Sequence, residues 1–194
     1  MEKKLIYGVG INDYNNRVSI GGKRIKSYQT WCNMIARCYS DKYKNIHPTY
    51  ADVKVCEEWL SFSKFKEWFD NNYPYHLEEQ GVKLHLDKDI LSGDNKIYSP
   101  DTCCFIPDIV NKFLLNKQRT NTSEYIGSSY CNKDKEWVAH INEFNNGKRR
   151  RIGGFDTAKE AGDAYSIARK AEVVKVKEYL KNLNYDNKII ERIW

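Results

Sequence analysis

At 194 residues the chain has room for one or two domains. Hydrophobic residues are 41% and charged residues 30%, a balance that excludes a membrane-embedded or a disordered chain. The formal net charge of +6 suits a polyanionic partner without requiring one.

No apolar run approaches the length of a membrane span, and Met1 to Tyr7 does not read as a signal peptide. A cytoplasmic protein is expected. The six cysteines (Cys32, Cys38, Cys56, Cys103, Cys104 and Cys131) then read as thiols, and no CxxC pair offers the strong zinc signature. Cys38, Cys56 and Cys103 could meet in space with a fourth ligand to hold zinc, but buried free thiols are the commoner outcome. The 14 tyrosines and 5 tryptophans can fill cores or stack on bases.

In chain order, residues 5–28 read as a β-hairpin unit. Val18-Ser19-Ile20 alternates, and Gly21-Gly22 turns the chain into Lys23-Arg24-Ile25-Lys26. A helix over about 29–40 follows, capped by Ser27 or Thr30. Its core face is Trp31, Met34, Ile35 and Cys38, at helical spacing. Ser40 to Pro48 reads as a polar loop and 49–55 as holding a short strand. A second helix, about 56–70, carries Trp59, Phe62, Phe65, Trp68 and Phe69. Such an aromatic stripe belongs in a core. Asn71 to Val82 reads as loop.

Residues 84–118 read as strand, loop, strand, helix. The strands fall at 84–87 and about 103–106, with a turn at Ser92 to Asn95 between them. The helix starts at Pro107 or Asp108, with Ile109, Val110, Phe113 and Leu114 on its apolar face. This order and spacing resembles the ββα core of HNH endonucleases, as found in phage homing enzymes with separate DNA-binding modules. The family has Asp-His on the first strand, an Asn before the second strand, and an Asn or His in the helix. Here these positions are Asp87-Lys88, Asp101 or Thr102, and Asn111. The resemblance implies that Asp87 and Asn111 are ligands of one Mg²⁺ or Mn²⁺, which would stabilise a leaving phosphate oxygen. It also implies a general base where Lys88 stands. A lysine at its ordinary pKa is charged at pH 7 and cannot accept that proton. His85, two residues before Asp87 and on the same side of a strand, is the candidate to replace it.

Residues 116–124 are polar and lack an apolar anchor, as suits a linker. The stretch from Tyr125 to Ala171 has the clearest design. Trp137, Ala139 and Ile141 alternate with Val138, His140 and Asn142, the period of a half-buried strand. Asn145-Asn146-Gly147 is a hairpin signal, and Lys148-Arg149-Arg150-Arg151-Ile152 makes a basic second arm that Gly153-Gly154 should stop. Asp156 or Thr157 can cap a helix with Glu160 in its first turn. Ala161, Ala164, Tyr165 and Ala168 then recur at helical spacing. Three strands (about 125–131, 136–144 and 148–153) should therefore lie on one helix, with Trp137 and Tyr165 in the core. Ser129, His140, Asn142, Arg149 and Arg151 should lie on the outer face.

These residues resemble an AP2/ERF DNA-binding domain. The correspondence runs through Tyr125-Ile126-Gly127, Trp137, Ala139, Ile141, Ile152-Gly153-Gly154-Phe155-Asp156-Thr157, Glu160-Ala161 and Ala164-Tyr165. It implies that the outer sheet face reads the major groove of duplex DNA through Ser129, His140, Asn142, Arg149 and Arg151, beside Lys148. Ile126 and Ser129 stand where the plant domains carry arginines.

The expected fold class is α+β. A helical, ββα HNH-like module at 1–117 and a linker at 118–124 precede an AP2-like three-stranded antiparallel sheet packed on one helix at 122–181. The tail, 182–194, carries Ile189, Ile190, Ile193 and Trp194 and either docks back or meets a protein partner. Three functions fit. One is a phage-type, sequence-selective endonuclease in a bacterial cytoplasm, with a degenerate catalytic dyad. The others are a non-catalytic DNA-binding regulator or counter-defence (anti-CRISPR-like) factor, and a protein-interaction module.

Overall fold

The computed structural model describes residues 5–93, 95–115 and 123–194. It is α+β, with several small sheets. It divides into two compact units, Met1–Phe105 and Ile106–Trp194. The stretch expected as a linker, 118–124, lies largely outside the described residues. The division falls earlier, so the helix after Pro107 belongs to the second unit. Within that unit the Phe113 ring meets Phe144 edge-on at 5.6 Å, and the Arg169 guanidinium stacks 3.6 Å above it.

The first unit opens with a two-stranded antiparallel ribbon, β1 (Ser19–Ile20) and β2 (Lys23–Arg24), turned by Gly21-Gly22 as expected. The helix α1 (Lys26–Tyr39) buries Trp31, Met34, Ile35 and Cys38, the predicted face. The expected polar loop instead holds α2 (Asp41–Ile46), because the Ser40 hydroxyl accepts the Tyr43 N–H at its start. β3 (Lys54–Val55) pairs in parallel with β5 (Ile97–Tyr98).

The helix expected over 56–70 is interrupted. A 3₁₀ turn, Glu57–Leu60, ends at Ser61, and α3 (Phe62–Asn72) starts anew. The break has a polar cause. Asp13 accepts hydrogen bonds from the Ser61 hydroxyl (2.7 Å), the Ser63 N–H (2.9 Å) and the Ser63 hydroxyl (2.7 Å). These bonds cap the new helix from a distant part of the chain. The aromatic stripe is core as predicted. Trp59, Phe62, Phe65 and Phe69 are fully buried, Trp68 packs against them half-buried, and Phe69 stacks on Tyr73 at 4.6 Å. Each such side chain contributes roughly 1.5–3 kcal/mol by leaving water. A short helix, α4 (Tyr75–Glu79), stands where loop was expected. β4 (Leu84–Asp87) pairs with β6 (Cys104–Pro107), and α5 (Asp108–Leu115) follows directly. The strand, strand, helix order is the predicted one.

In the second unit, β7 (Ser128–Cys131), β8 (Glu136–Asn142) and β9 (Arg149–Phe155) form an antiparallel sheet in chain order. The long helix α6 (Ala158–Asn182) packs on one face. Thr157 is its cap, in a reciprocal capping box with Glu160. The β8–β9 turn forms at Asn145-Asn146-Gly147. Gly147 adopts φ +64°, and the Asn146 side chain accepts the Lys148 N–H at 2.7 Å.

The sheet core is small: Ala139, Ile141, Ala161 and Tyr165, with Trp137, Ile152, Phe155 and Ala168 packed around it. Trp137 lies on the predicted inward phase but only half-buried, at the end of the sheet. Gly153-Gly154 do not stop the third strand. They lie within β9, whose register shifts by one residue between Ala139 and His140. The bulged residue is Ile152. In an unbroken strand Ile152 and Phe155 would face opposite sides. The bulge lets both face the helix, while Arg149, Arg151 and Gly154 face outward. The tail forms α7 (Asn187–Glu191), with Ile190 and Ile193 buried and Trp194 exposed. Among the described residues no helix is long and apolar enough to cross a membrane.

Candidate nucleic-acid interface

The outer face of the sheet is assembled by register. Asn142 lies opposite Arg149, His140 opposite Arg151, and Val138 between Ser129 and Gly154. The predicted residues Ser129, His140, Asn142, Arg149 and Arg151 are therefore brought to one face, and Lys148 stands exposed at its turn. Val138 shares that face yet is buried, and Ser129 beside it is half-buried. The open surface thus narrows to the β9 side: Lys148, Arg149, Arg151 and Gly154, with His140 and Asn142 behind them.

The charges there differ in their partners. Arg150, on the inward phase beyond the helix, donates to Glu143 at 2.9 Å. Arg151 is ion-paired with Glu136. Among the described residues Arg149 and Lys148 have no carboxylate partner, so their charge is available to a ligand. His140 sits between the arginines. Burial first, and the charges of Arg149 and Arg151 next, hold its imidazole below the ordinary value. It is therefore neutral at pH 7. Its Nδ1 is buried and has no hydrogen-bond partner among the described residues. With Nδ1 buried, only the rest of this half-buried, neutral ring faces the cationic surface.

The face is held in place from behind. Gly127 adopts φ +84°, and any Cβ there would overlap the Tyr165 ring. Gly162 in α6 leaves room for the Cβ of Tyr125, which would lie 2.7 Å from an added Cβ. Tyr125, Gly127, Gly162 and Tyr165 thus interlock the start of the sheet with the helix. At the other end Glu172 is buried within α6 and accepts the Phe144 N–H at 2.8 Å. It also bonds Lys175 at 2.6 Å. This pins the strand end just before the hairpin turn.

The sequence pattern does not single out Glu136, Gly162 or Glu172. The glycine pair at 153–154 was visible, but reads as a stop signal. A glutamate on the helix's buried side was the available clue to Glu172, against a stripe of small and apolar residues.

In the first unit, the predicted catalytic residues have other engagements. Lys88 is buried, and its ammonium bonds the Asp89 carboxylate and the Asn95 carbonyl, 3.2 Å away. These bonds tie it into its own fold. Asp87 Oδ1 accepts the N–H groups of Asp89 and Ile90, both at 2.9 Å. Burial raises its pKa, against those two bonds. His85 lines a cleft of about 380 Å³ with Lys26, Glu78, Lys83 and Leu84. Asn111 lies in α5, in the second unit.

Among the described residues no three His, Cys, Asp or Glu side chains group to hold a metal. Asp87 Oδ1 is tied into its turn. The six cysteines are free, and burial pushes the Cys38 and Cys103 thiols up to about 12.

No protein-family model, no curated protein and no solved structure matches the chain.

Proposed function

We propose that the chain binds duplex DNA through the outer face of β7–β8–β9, with its second unit acting as an AP2-like module. The observation that carries this reading is a thin ribbon with one face on a helix and the other bearing exposed Arg149 and Arg151 around a neutral His140. A β-ribbon fits the major groove, where arginine reads guanine and asparagine reads adenine. Arg149, Arg151 and Asn142 are the base readers in this account. Lys148 meets phosphate, and Ser129 sits at the margin.

Binding without vigorous cleavage is the favoured form of this function, that of a regulator or a counter-defence factor in a bacterial cytoplasm. The order β4, β6, α5 supports an HNH-like ancestry for the region around residues 84–115. Lys88 and Asp87 there serve the fold, and no step through Mg²⁺ or Mn²⁺ is assigned to them. The test is a titration of the full chain with duplex DNA at several salt concentrations. Affinity should fall linearly with log salt. Joint replacement of Arg149 and Arg151 by Ala should cost about 1–3 kcal/mol for a base contact, or reduce the salt slope by about one per phosphate lost. Unchanged affinity and slope would remove this face as the DNA surface.

A further inference from the structure

Glu136 opens β8 on the same phase as Val138 and His140, facing outward. Its side chain does not project into solvent. It lies across the sheet onto β9, where Gly154 leaves the room: a Cβ at Gly154 would overlap the Glu136 carboxylate. From that seat Glu136 Oε1 accepts a hydrogen bond from Arg151 Nη2. The carboxylate is one-third exposed and the arginine side chain half exposed, so the pair lies on the surface that DNA would cover.

A guanidinium carries five N–H donors in a rigid planar fork. A bidentate contact with guanine O6 and N7 uses only one edge of that fork. A carboxylate holding Nη2 therefore leaves a full edge free and fixes the direction in which it points. It also removes side-chain freedom before any ligand arrives, which reduces the ordering lost on binding. A negative charge on a basic, DNA-facing sheet is otherwise unfavourable, because it repels phosphate. Its placement on a glycine that accommodates it calls for a gain elsewhere.

We propose that Glu136 is a positioning residue for Arg151. Seated over Gly154, it orients the free edge of the guanidinium to read a guanine in the major groove. This rests on the DNA-binding reading above and adds to it a specific base and a specific supporting pair.

The experiment uses the full chain and a pool of duplexes with a randomised centre between constant flanks, with bound duplexes sequenced at two salt concentrations. The wild type should enrich guanine at one or more positions, and Arg151→Ala should lose one of these. Glu136→Ala should reduce the guanine preference at that same position about fivefold or more, with affinity for the unselected pool equal or slightly higher. Glu136→Gln keeps an acceptor oxygen and should retain most of the preference. Gly154→Ala, which evicts the carboxylate, should behave as Glu136→Ala, with thermal melts confirming that each variant is folded. Uniformly tighter pool binding with the guanine preference intact overturns the positioning role and makes Glu136 a simple brake on charge. An equal loss on all duplexes overturns it as well. A wild-type chain that retains no duplex overturns the DNA-binding reading itself, and this role with it.

Discussion

The first unit closes over a continuous cluster of rings: Trp31, Trp59, Phe62, Phe65, Phe69, Tyr73 and Phe105. The sheet of the second rests on four buried residues, two of them alanines. The polar side chains differ in the same sense. Asp13, Asp87 and Lys88 in the first unit are turned onto backbone groups or neighbouring side chains of their own fold. In the second unit Arg149 and Lys148 have no carboxylate partner among the described residues, and His140 Nδ1 is buried without a hydrogen bond. A large core tolerates polar groups that serve as struts. A thin sheet on one helix must be locked by close contacts at a few points, and its other face is then free for a ligand.

The largest effect should come from breaking the lock. Tyr165→Ala should cost about 3–5 kcal/mol, since it empties most of a small core. Gly127→Ala should be comparable. The new Cβ meets the Tyr165 ring, and the backbone must hold a positive φ that alanine resists. Thermal melts of the two variants should show the second unit lost while the aromatic core still gives a cooperative transition. If Gly127→Ala melts with the wild type, the interlock of Gly127 and Tyr165 is wrong.

A smaller loss is expected at the other end of the sheet. Glu172→Ala strands the buried N–H of Phe144, at about 1–3 kcal/mol. Glu172→Gln preserves an acceptor and should lose much less. Denaturant melts separate the two. Equal losses would mean that the charge pairing with Lys175, rather than the bond to Phe144, is what matters.

Much of this was legible in the sequence because periodicity reports which way a side chain faces. The alternation at 136–142, the Asn-Asn-Gly turn and the alanine face of α6 give the sheet and its helix. The spacing of Trp31, Met34, Ile35 and Cys38 gives the face of α1. What periodicity does not report is long-range polar contact. Ser61 is itself the N-cap of α3 and accepts the Lys64 N–H, but nothing near it shows that Asp13, 48 residues away, would brace it there. Strand pattern alone likewise misses the bulge at Ile152, which is why Gly153-Gly154 read as an end. The candidate face was legible as a set of residues. Glu136 was not part of it, because its partner Arg151 is brought near only by the strand pairing.

The Asp13 strut gives the first unit a pH signature. Against the cost of its burial, the bonds from Ser61 and Ser63 hold its carboxyl at about 2. In the unfolded chain it titrates near the ordinary value of about 3.9. The folded state therefore binds the proton less tightly. Its contribution is complete above about pH 4 and is lost as pH falls from there towards 2. Asp13→Asn should flatten the fall in melting temperature of the first unit across that window, with little change in slope from pH 5 to 7. An unaltered acid slope would assign the acid sensitivity to other carboxylates.

The smallest expected effect tests whether the first unit's polar groups are struts alone. Asp87→Ala and Lys88→His both alter the positions that the HNH resemblance marks as catalytic. If Asp87 and Lys88 only brace the 87–95 turn, neither change should alter DNA affinity measurably. Supercoiled plasmid incubated with the wild type and Mg²⁺ or Mn²⁺, beside a chelator control, should show little or no nicking. Lys88→His supplies an imidazole where the family has its base, and a general base is typically worth about a hundred- to ten-thousand-fold in rate. It also removes the ammonium that bonds Asp89 and the Asn95 carbonyl, so its melt must be measured alongside. A folded Lys88→His chain that nicks in the presence of metal, and stops when Asp87→Ala is added, would show a working site whose base had been lost. The contrast between the units would then be one between a lapsed catalyst and its targeting module. A folded Lys88→His chain that still does not nick leaves Asp87 and Lys88 as parts of the turn and removes the basis for a catalytic role at these positions.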